Sequence, residues 1–378
     1  MPRSGKCGKG RRAALGIRQA REEWLIKKLM LSFTALVVSL VVAEVVVRLF
    51  FPPVLIGPSF CAFDPVYGKV VKKDYRCQRI TPEYAMQFSS NSLGFRGPEP
   101  ATTPREGVLV LGDSFAMGYG VDDGQEFPSL VAGALARRHG AGTVPVVNTA
   151  MSCNGNGRWV KFLRDEASRY APRLVVLQAC TNDFWDNTTE GLFSLSPSGE
   201  LVELPIPEPD WRRRVQETFD AVPGLSYSRL VCLVREQIGV IASDGDGDGG
   251  GGGAGGGEST SLPEELTYAL IERSLAICKE HGWPTVLIAA RFKEDNPWLE
   301  RLTEMCAAFE VPLLRIPTKS EQPPLYYELD GHWNPAGHAY VANLLMDHLT
   351  DHGTLADIPV AGQRTILESP RSARLSLP

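Results

Sequence analysis

Two short stretches hold residue types that could do covalent chemistry together. The first is Gly112-Asp113-Ser114, which follows the apolar β-formers Val108, Leu109, Val110 and Leu111 and leads into the turn-prone Gly118-Tyr119-Gly120. A strand that stops abruptly in a Gly-containing turn presents its next side chain at the carboxyl edge of a sheet, where open α/β sheets bind ligands. A serine there acts as a nucleophile when a base takes its proton and donors hold the oxyanion. The second stretch runs from Asp330 through His332 and Asn334 to His338 and holds two of the chain's six histidines. Asp330 precedes His332 by two residues. In an extended loop, side chains two apart point the same way. The carboxylate can then hold Nδ1–H while Nε2 faces a serine. His338 is the weaker base. Asn334-Pro335 reads as an N-cap and first helical position, so His338 falls in a first turn, where the helix dipole lowers imidazole basicity. The alternative for either histidine alone is capping or packing of the last helix.

Oxyanion donors have two expected sources. Asn148 ends an apolar run, and the turn after it contains Cys153, Asn154, Gly155, Asn156 and Gly157; a later apolar run ends in Cys180-Thr181-Asn182-Asp183. A backbone N–H from the first turn and the Asn182 carboxamide from the second can converge on one oxygen, each worth about 3 kcal/mol of barrier. Alone, Asn182-Asp183 reads equally as an Asx turn.

The elements that must position these residues follow a regular alternation. Apolar strands are expected at 108–111, 144–148, 174–178, 285–290 and 312–316. Helices are expected at 125–139, 158–170, 263–280, 297–309 and 335–349. Continuous apolar strands separated by helices predict a parallel sheet covered on both faces. The predicted fold class is α/β, a three-layer α/β/α flavodoxin-like sandwich with a five-stranded parallel sheet, spanning 107–350. Residues 184–262 break the rhythm as an irregular insert, with helices expected near 212–219 and 228–238. Trp185 and Trp211 of this insert are candidate stacking platforms, although packing of the insert is the simpler expectation for each. The Gly-rich stretch 243–260 has nothing to bury and is expected to be a surface loop. Its D-x-D-x-D-G opening resembles an EF-hand loop, but the twelfth position from Asp244 is Gly255 where a bidentate Glu is needed, so no calcium is expected. Residues 52–106 are rich in Pro and Gly and read as an extended arm packed on the main domain. Residues 351–378 read as a tail.

Charge narrows the partners. Residues 1–28 carry nine Lys or Arg against Glu22 and Glu23, a +7 segment in a chain of net −5, which leaves −12 on the rest. An acidic body of that kind offers no footprint for nucleic acid. Residues 29–51 are dominated by Leu, Val and Phe and have about the 20-residue length that a bilayer-spanning helix needs. Glu44 and Arg48 interrupt the run at i, i+4 spacing and can pair on one face. The basic residues before it place the N-terminus in the cytoplasm and the body outside. A cleaved signal peptide is the rival, but no A-x-A-like site precedes Pro52-Pro53. Outside the cytoplasm, Cys61 and Cys77 become candidates for a disulfide. The other cysteines after the anchor sit in apolar contexts. With no C-x-x-C pair, no structural metal is expected, and no cofactor.

Over residues 107–350 these blocks resemble the SGNH (GDSL-type) hydrolase family. The resemblance implies Ser114 as nucleophile, with its own N–H in the oxyanion hole beside Asn182, and Asp330 and His332 as orienting acid and base. The family's second-block glycine falls on Cys153, where only a backbone N–H is required, with Gly155 as the alternative. The third-block glycine is replaced by Cys180. The D-x-H-x-N spacing and the Asn91-to-Gly97 segment resemble membrane-anchored members. The implied activity is a serine esterase removing acyl groups, acetyl foremost, from a carbohydrate or cell-envelope substrate. The same triad would serve an O-acyltransferase, and the two Gly→Cys departures keep open a non-catalytic envelope-binding protein.

Overall fold

The computed structural model describes residues 7–51, 55–100, 106–152, 154–206, 208, 211–222, 224–237 and 262–352. The chain begins with helix α1 (Cys7–Phe50), whose Arg21–Phe50 part is long and apolar enough to cross a membrane. Glu44 and Arg48 pair at 2.7 Å, as their spacing predicts. Glu44 does more than neutralise that arginine. It accepts the Ser228 hydroxyl at 2.7 Å and the backbone N–H groups of Arg229 and Leu230 at 3.0 and 2.9 Å. A carboxylate on unsatisfied N–H groups at a helix start is a favourable cap.

The arm that follows is not wholly extended. It forms two antiparallel hairpins, β1 (Cys61–Asp64) with β2 (Gly68–Val71) and β3 (Arg76–Ile80) with β4 (Ala85–Ser89). Periodicity hid β3 because its inward positions are Cys77 and Arg79, and a buried arginine breaks the apolar–polar alternation by which a strand is recognised. Phe60, Met86 and Phe88 carry the arm into the main core. Cys61 and Cys77 do not form the expected disulfide; each is a buried thiol, on separate hairpins.

The main domain starts at β5 (Gly107–Leu111), followed by a single turn α2 (Ser114–Met117), α3 (Phe127–His139), β6 (Val146–Asn148), α4 (Gly157–Asp165) and β7 (Pro172–Cys180). After α5 (Asp183–Glu190) come a small hairpin, β8 (Phe193–Leu195) with β9 (Leu201–Glu203), and the insert helices α6 (Trp211–Ala221) and α7 (Arg229–Gln237). The regular rhythm resumes with α8 (Leu262–Glu280), β10 (Thr285–Ala290), α9 (Pro297–Ala308), β11 (Leu313–Arg315) and α10 (Pro335–Asp351). Five strands pair in parallel in the order β11-β10-β7-β5-β6, the arrangement the alternation predicts. The period of two divides the core between the faces. Val108 and Val110 of β5 join α3 and α10 on one side, and Leu109 and Leu111 join α4, α8 and α9 on the other. The order reverses between β5 and β7, which makes their carboxyl ends the crevice where such a sheet can hold a ligand.

The expected Gly-rich loop and the tail beyond residue 352 lie outside the described residues. The insert tryptophans are largely exposed: Trp185 is 73% and Trp211 58% exposed.

Candidate active site

The turn after β5 brings Ser114 to that crevice. Gly112 is required by space, since a Cβ there would stand 2.6 Å from Ala116 Cβ and 2.7 Å from Gln178 Oε1. Asp113 caps α2 by accepting the Phe115 N–H at 2.9 Å. Gln178, on β7, accepts the N–H groups of Asp113 and Ala116 at 3.2 and 3.0 Å. The Asn148 carboxamide donates to Ala116 O at 3.0 Å. Three polar side chains therefore fix the backbone under Ser114 without using its hydroxyl. Gln178 and Asn148 were not foreseen in this role. The available signal was a glutamine inside the apolar run Leu174–Cys180, because a buried amide has to find partners.

Ser114 Oγ lies 2.7 Å from His332 Nε2. The other ring nitrogen, Nδ1, makes a short hydrogen bond to Asp330 Oδ1. The nitrogen pairings set the tautomer: Nδ1 carries the proton, so Nε2 is the acceptor for the serine. The structure thus brings Ser114, His332 and Asp330 together, with the histidine between the other two. The backbone that does so is not simply extended. Gly331, between Asp330 and His332, has φ +84, a left-handed conformation that turns the two side chains toward each other. Around the ring stand Phe115 and Tyr119, with centroids 4.8 and 5.1 Å from His332, and Trp333 packs edge-on against Phe115. Ser114 and His332 are only 4% and 3% exposed. Burial pushes the Asp330 carboxyl up, but hydrogen bonds from His332 and Tyr84 outweigh it and hold the group below the usual carboxylate range.

His338 occupies the first turn of α10 behind the Asn334 cap, as the sequence predicts. It is fully buried and accepts the Phe127 N–H at Nδ1, 3.2 Å away. Burial, with Arg96 and His332 nearby, pushes its pKa down to about 3, so it is a neutral packing residue that anchors the start of α3.

The expected oxyanion donors are placed less directly. Cys153 lies outside the described residues. Asn182 flanks α5 at the end of β7, but its carboxamide donates to Asp186 Oδ2 at 2.7 Å, one turn along the helix. Gly155 is buried against Asn187. Beneath this rim, Asp183 accepts from Cys180 N and Asn156 Nδ2, both at 3.0 Å. Burial, and the charge of Asp113 after it, push the Asp183 carboxyl well above its usual range. The sign of the linkage is then fixed. A carboxyl that holds its proton longer in the folded than in the unfolded chain costs stability as pH climbs above about 4. Asp183→Asn keeps an oxygen for Cys180 N and removes a like charge from beside Asp113. We expect it to raise stability at pH 7 by at least about 1 kcal/mol, a midpoint gain of about 2–4 °C, with no gain at pH 4. Thermal melts across that range check it, and equal midpoints at both pH values would refute it.

Comparisons with known proteins identify the family. The sequence profile of the GDSL-like lipase/acylhydrolase family matches residues 110–340, which is more than half of the chain. An arylesterase of Vibrio mimicus is 27% identical over 147 residues, covering 35% of this chain and 72% of its own. Among solved structures, an acetylxylan esterase of Geobacillus stearothermophilus aligns with 66% of this chain and 95% of its own at 12% identity and a TM-score of 0.36. A lipolytic protein of the G-D-S-L family from Desulfitobacterium hafniense aligns with 64% of this chain and 99% of its own at 10% identity and a TM-score of 0.35. With the family's profile running from the nucleophile strand to the last helix, this chain belongs to the GDSL-like lipase/acylhydrolase family and is an ester-hydrolysing enzyme.

Proposed function

We propose that the protein is a membrane-anchored serine esterase that removes short acyl groups, acetyl foremost, from a carbohydrate or other cell-envelope ester, working through Ser114, His332 and Asp330. The observation that carries this reading is the 2.7 Å contact of Ser114 Oγ with His332 Nε2, on a ring whose Nδ1 is already bonded to Asp330. His332 takes the hydroxyl proton as Oγ attacks the ester carbonyl. The tetrahedral oxyanion is held by the Ser114 and Cys153 N–H groups and the Asn182 carboxamide, which turns from Asp186 toward the substrate. Collapse expels the alcohol, which receives its proton from His332. Water then repeats the cycle on the acyl-enzyme and restores Ser114.

The anchor reading is supported by the apolar Arg21–Phe50 helix, and a cytoplasmic N-terminus with the catalytic domain outside is the orientation that the positive-inside rule favours for the basic residues before it. The short-acyl reading is supported by the burial of Ser114 and by the aromatic side chains packed around His332. The test is a p-nitrophenyl ester series with the detergent-solubilised full chain. Acetate is expected to exceed octanoate in kcat/KM by at least roughly tenfold. Octanoate turned over as fast as acetate would overturn the short-acyl reading, and no turnover of any ester would overturn the esterase itself.

A further inference from the structure

Asp330 is held by more than His332. Tyr84, in the turn between β3 and β4, donates its hydroxyl to Asp330 Oδ2 at 2.6 Å, the oxygen His332 does not use. Beside it, the Glu83 carboxylate accepts the backbone N–H groups of Glu328, Leu329 and Asp330 at 2.6, 2.8 and 2.7 Å. One side chain thus pins the acid and the two residues that lead into it. Behind Tyr84 stands Tyr119, edge-on at 6.1 Å between centroids. A phenol has one proton to give. That of Tyr84 goes to the carboxylate. Burial pushes the pKa of both phenols up, that of Tyr119 to about 12, so both stay protonated over the working range and Tyr84 keeps its proton for Asp330.

The physical need is clear from the side chain they hold. The terminal torsion of an aspartate is soft and roughly two-fold, so a carboxylate with one free oxygen can rock out of the imidazole plane. Occupying Oδ2 with a fixed donor leaves Oδ1 as the single oxygen facing His332. Glu83 and Tyr84 both lie before residue 110, outside the span that the family's profile matches.

We propose that Tyr84 is a positioning residue for the esterase reaction, supplied by the N-terminal arm and supported by Glu83. The proposal rests on reading Ser114, His332 and Asp330 as the triad. Tyr84→Phe in the detergent-solubilised full chain tests it, with p-nitrophenyl acetate as substrate. We expect kcat to fall about tenfold with KM within about twofold. Without its second donor, the Asp330 charge concentrates on the oxygen facing the imidazole, so the acidic limb of the kcat/KM profile moves to higher pH. A loss of packing alone would not move that limb. Glu83→Gln, which keeps the tyrosine but weakens the grip on the loop, is expected to lower kcat in the same direction, and it decides the matter if Tyr84→Phe does not fold. A folded variant with wild-type kcat and an unmoved limb overturns the proposal. Ser114→Ala run alongside keeps the two ideas apart. If that variant is inactive while Tyr84→Phe is unaffected, only the positioning role falls; if it turns over ester, the triad reading falls with it.

Discussion

Ser114→Ala is expected to lower kcat for p-nitrophenyl acetate by about 10⁴- to 10⁶-fold while the protein melts where the wild type does. The size follows from what the hydroxyl supplies. Without it there is no acyl-enzyme, and the remaining groups can only polarise the ester and admit water, which leaves a residue of catalysis from oxyanion stabilisation and binding. Folding is spared because the turn is not held by the serine. Asp113, Gln178 and Asn148 bond its backbone, and each keeps its partners in the alanine variant. The one hydrogen bond lost is that to His332, whose ring remains fixed by Asp330 and packed against Phe115 and Tyr119. Labelling with a fluorophosphonate and a thermal melt of the same sample separate loss of chemistry from loss of structure. More than a tenth of wild-type turnover in a folded Ser114→Ala protein would sink the nucleophile assignment.

Much of this arrangement was legible in the chain because it is local. β10 is an apolar run after its first residue and β7 is apolar apart from Arg173 and Gln178, and buried runs of that length between turn residues read as strands. Asp330 and His332 are two residues apart, so their pairing needs only one turn of backbone; even there the left-handed Gly331, and not extended chain, supplies the geometry. What was not legible is carried by polar contacts between residues far apart in sequence. Gln178 meets Asp113 and Ala116 across more than 60 residues, and Tyr84 meets Asp330 across 246. No periodicity encodes such a pair, because a lone tyrosine or glutamine satisfies the pattern of its own element whether or not a distant partner exists. The arm was underestimated for a related reason. The arm buries Arg79, on β3, and Arg96, in the segment after β4, and buried arginines look like surface residues to any pattern built on hydrophobicity.

Arg96→Ala is expected to cost about 3–5 kcal/mol of folding stability, lowering the midpoint by roughly 10 °C. Its guanidinium is 1% exposed. It donates to the carbonyls of Met117 and Gly118 through one nitrogen and to Gln87 O and Val121 O, at 3.2 and 2.7 Å, through another. Nε pairs with Asp123 at 3.0 Å, and the buried Glu126 carboxylate lies 3.9 Å away. The carbonyls of Met117, Gly118 and Val121 belong to the loop that follows the nucleophile turn. Alanine would leave these carbonyls without their donor and the Glu126 carboxylate without its cation, and both costs fall on the folded state alone. Lysine should not restore the loss, since a single ammonium cannot reach four carbonyls and a carboxylate arranged around a planar fork. Activity should fall with stability even at temperatures where the variant is folded, because the loop between α2 and α3 also carries Tyr119, which packs against His332. Chemical denaturation of the two variants against the wild type measures the first effect and p-nitrophenyl acetate turnover at 15 °C the second. A lysine variant as stable as the wild type would show that charge alone, and not the fork, holds this loop.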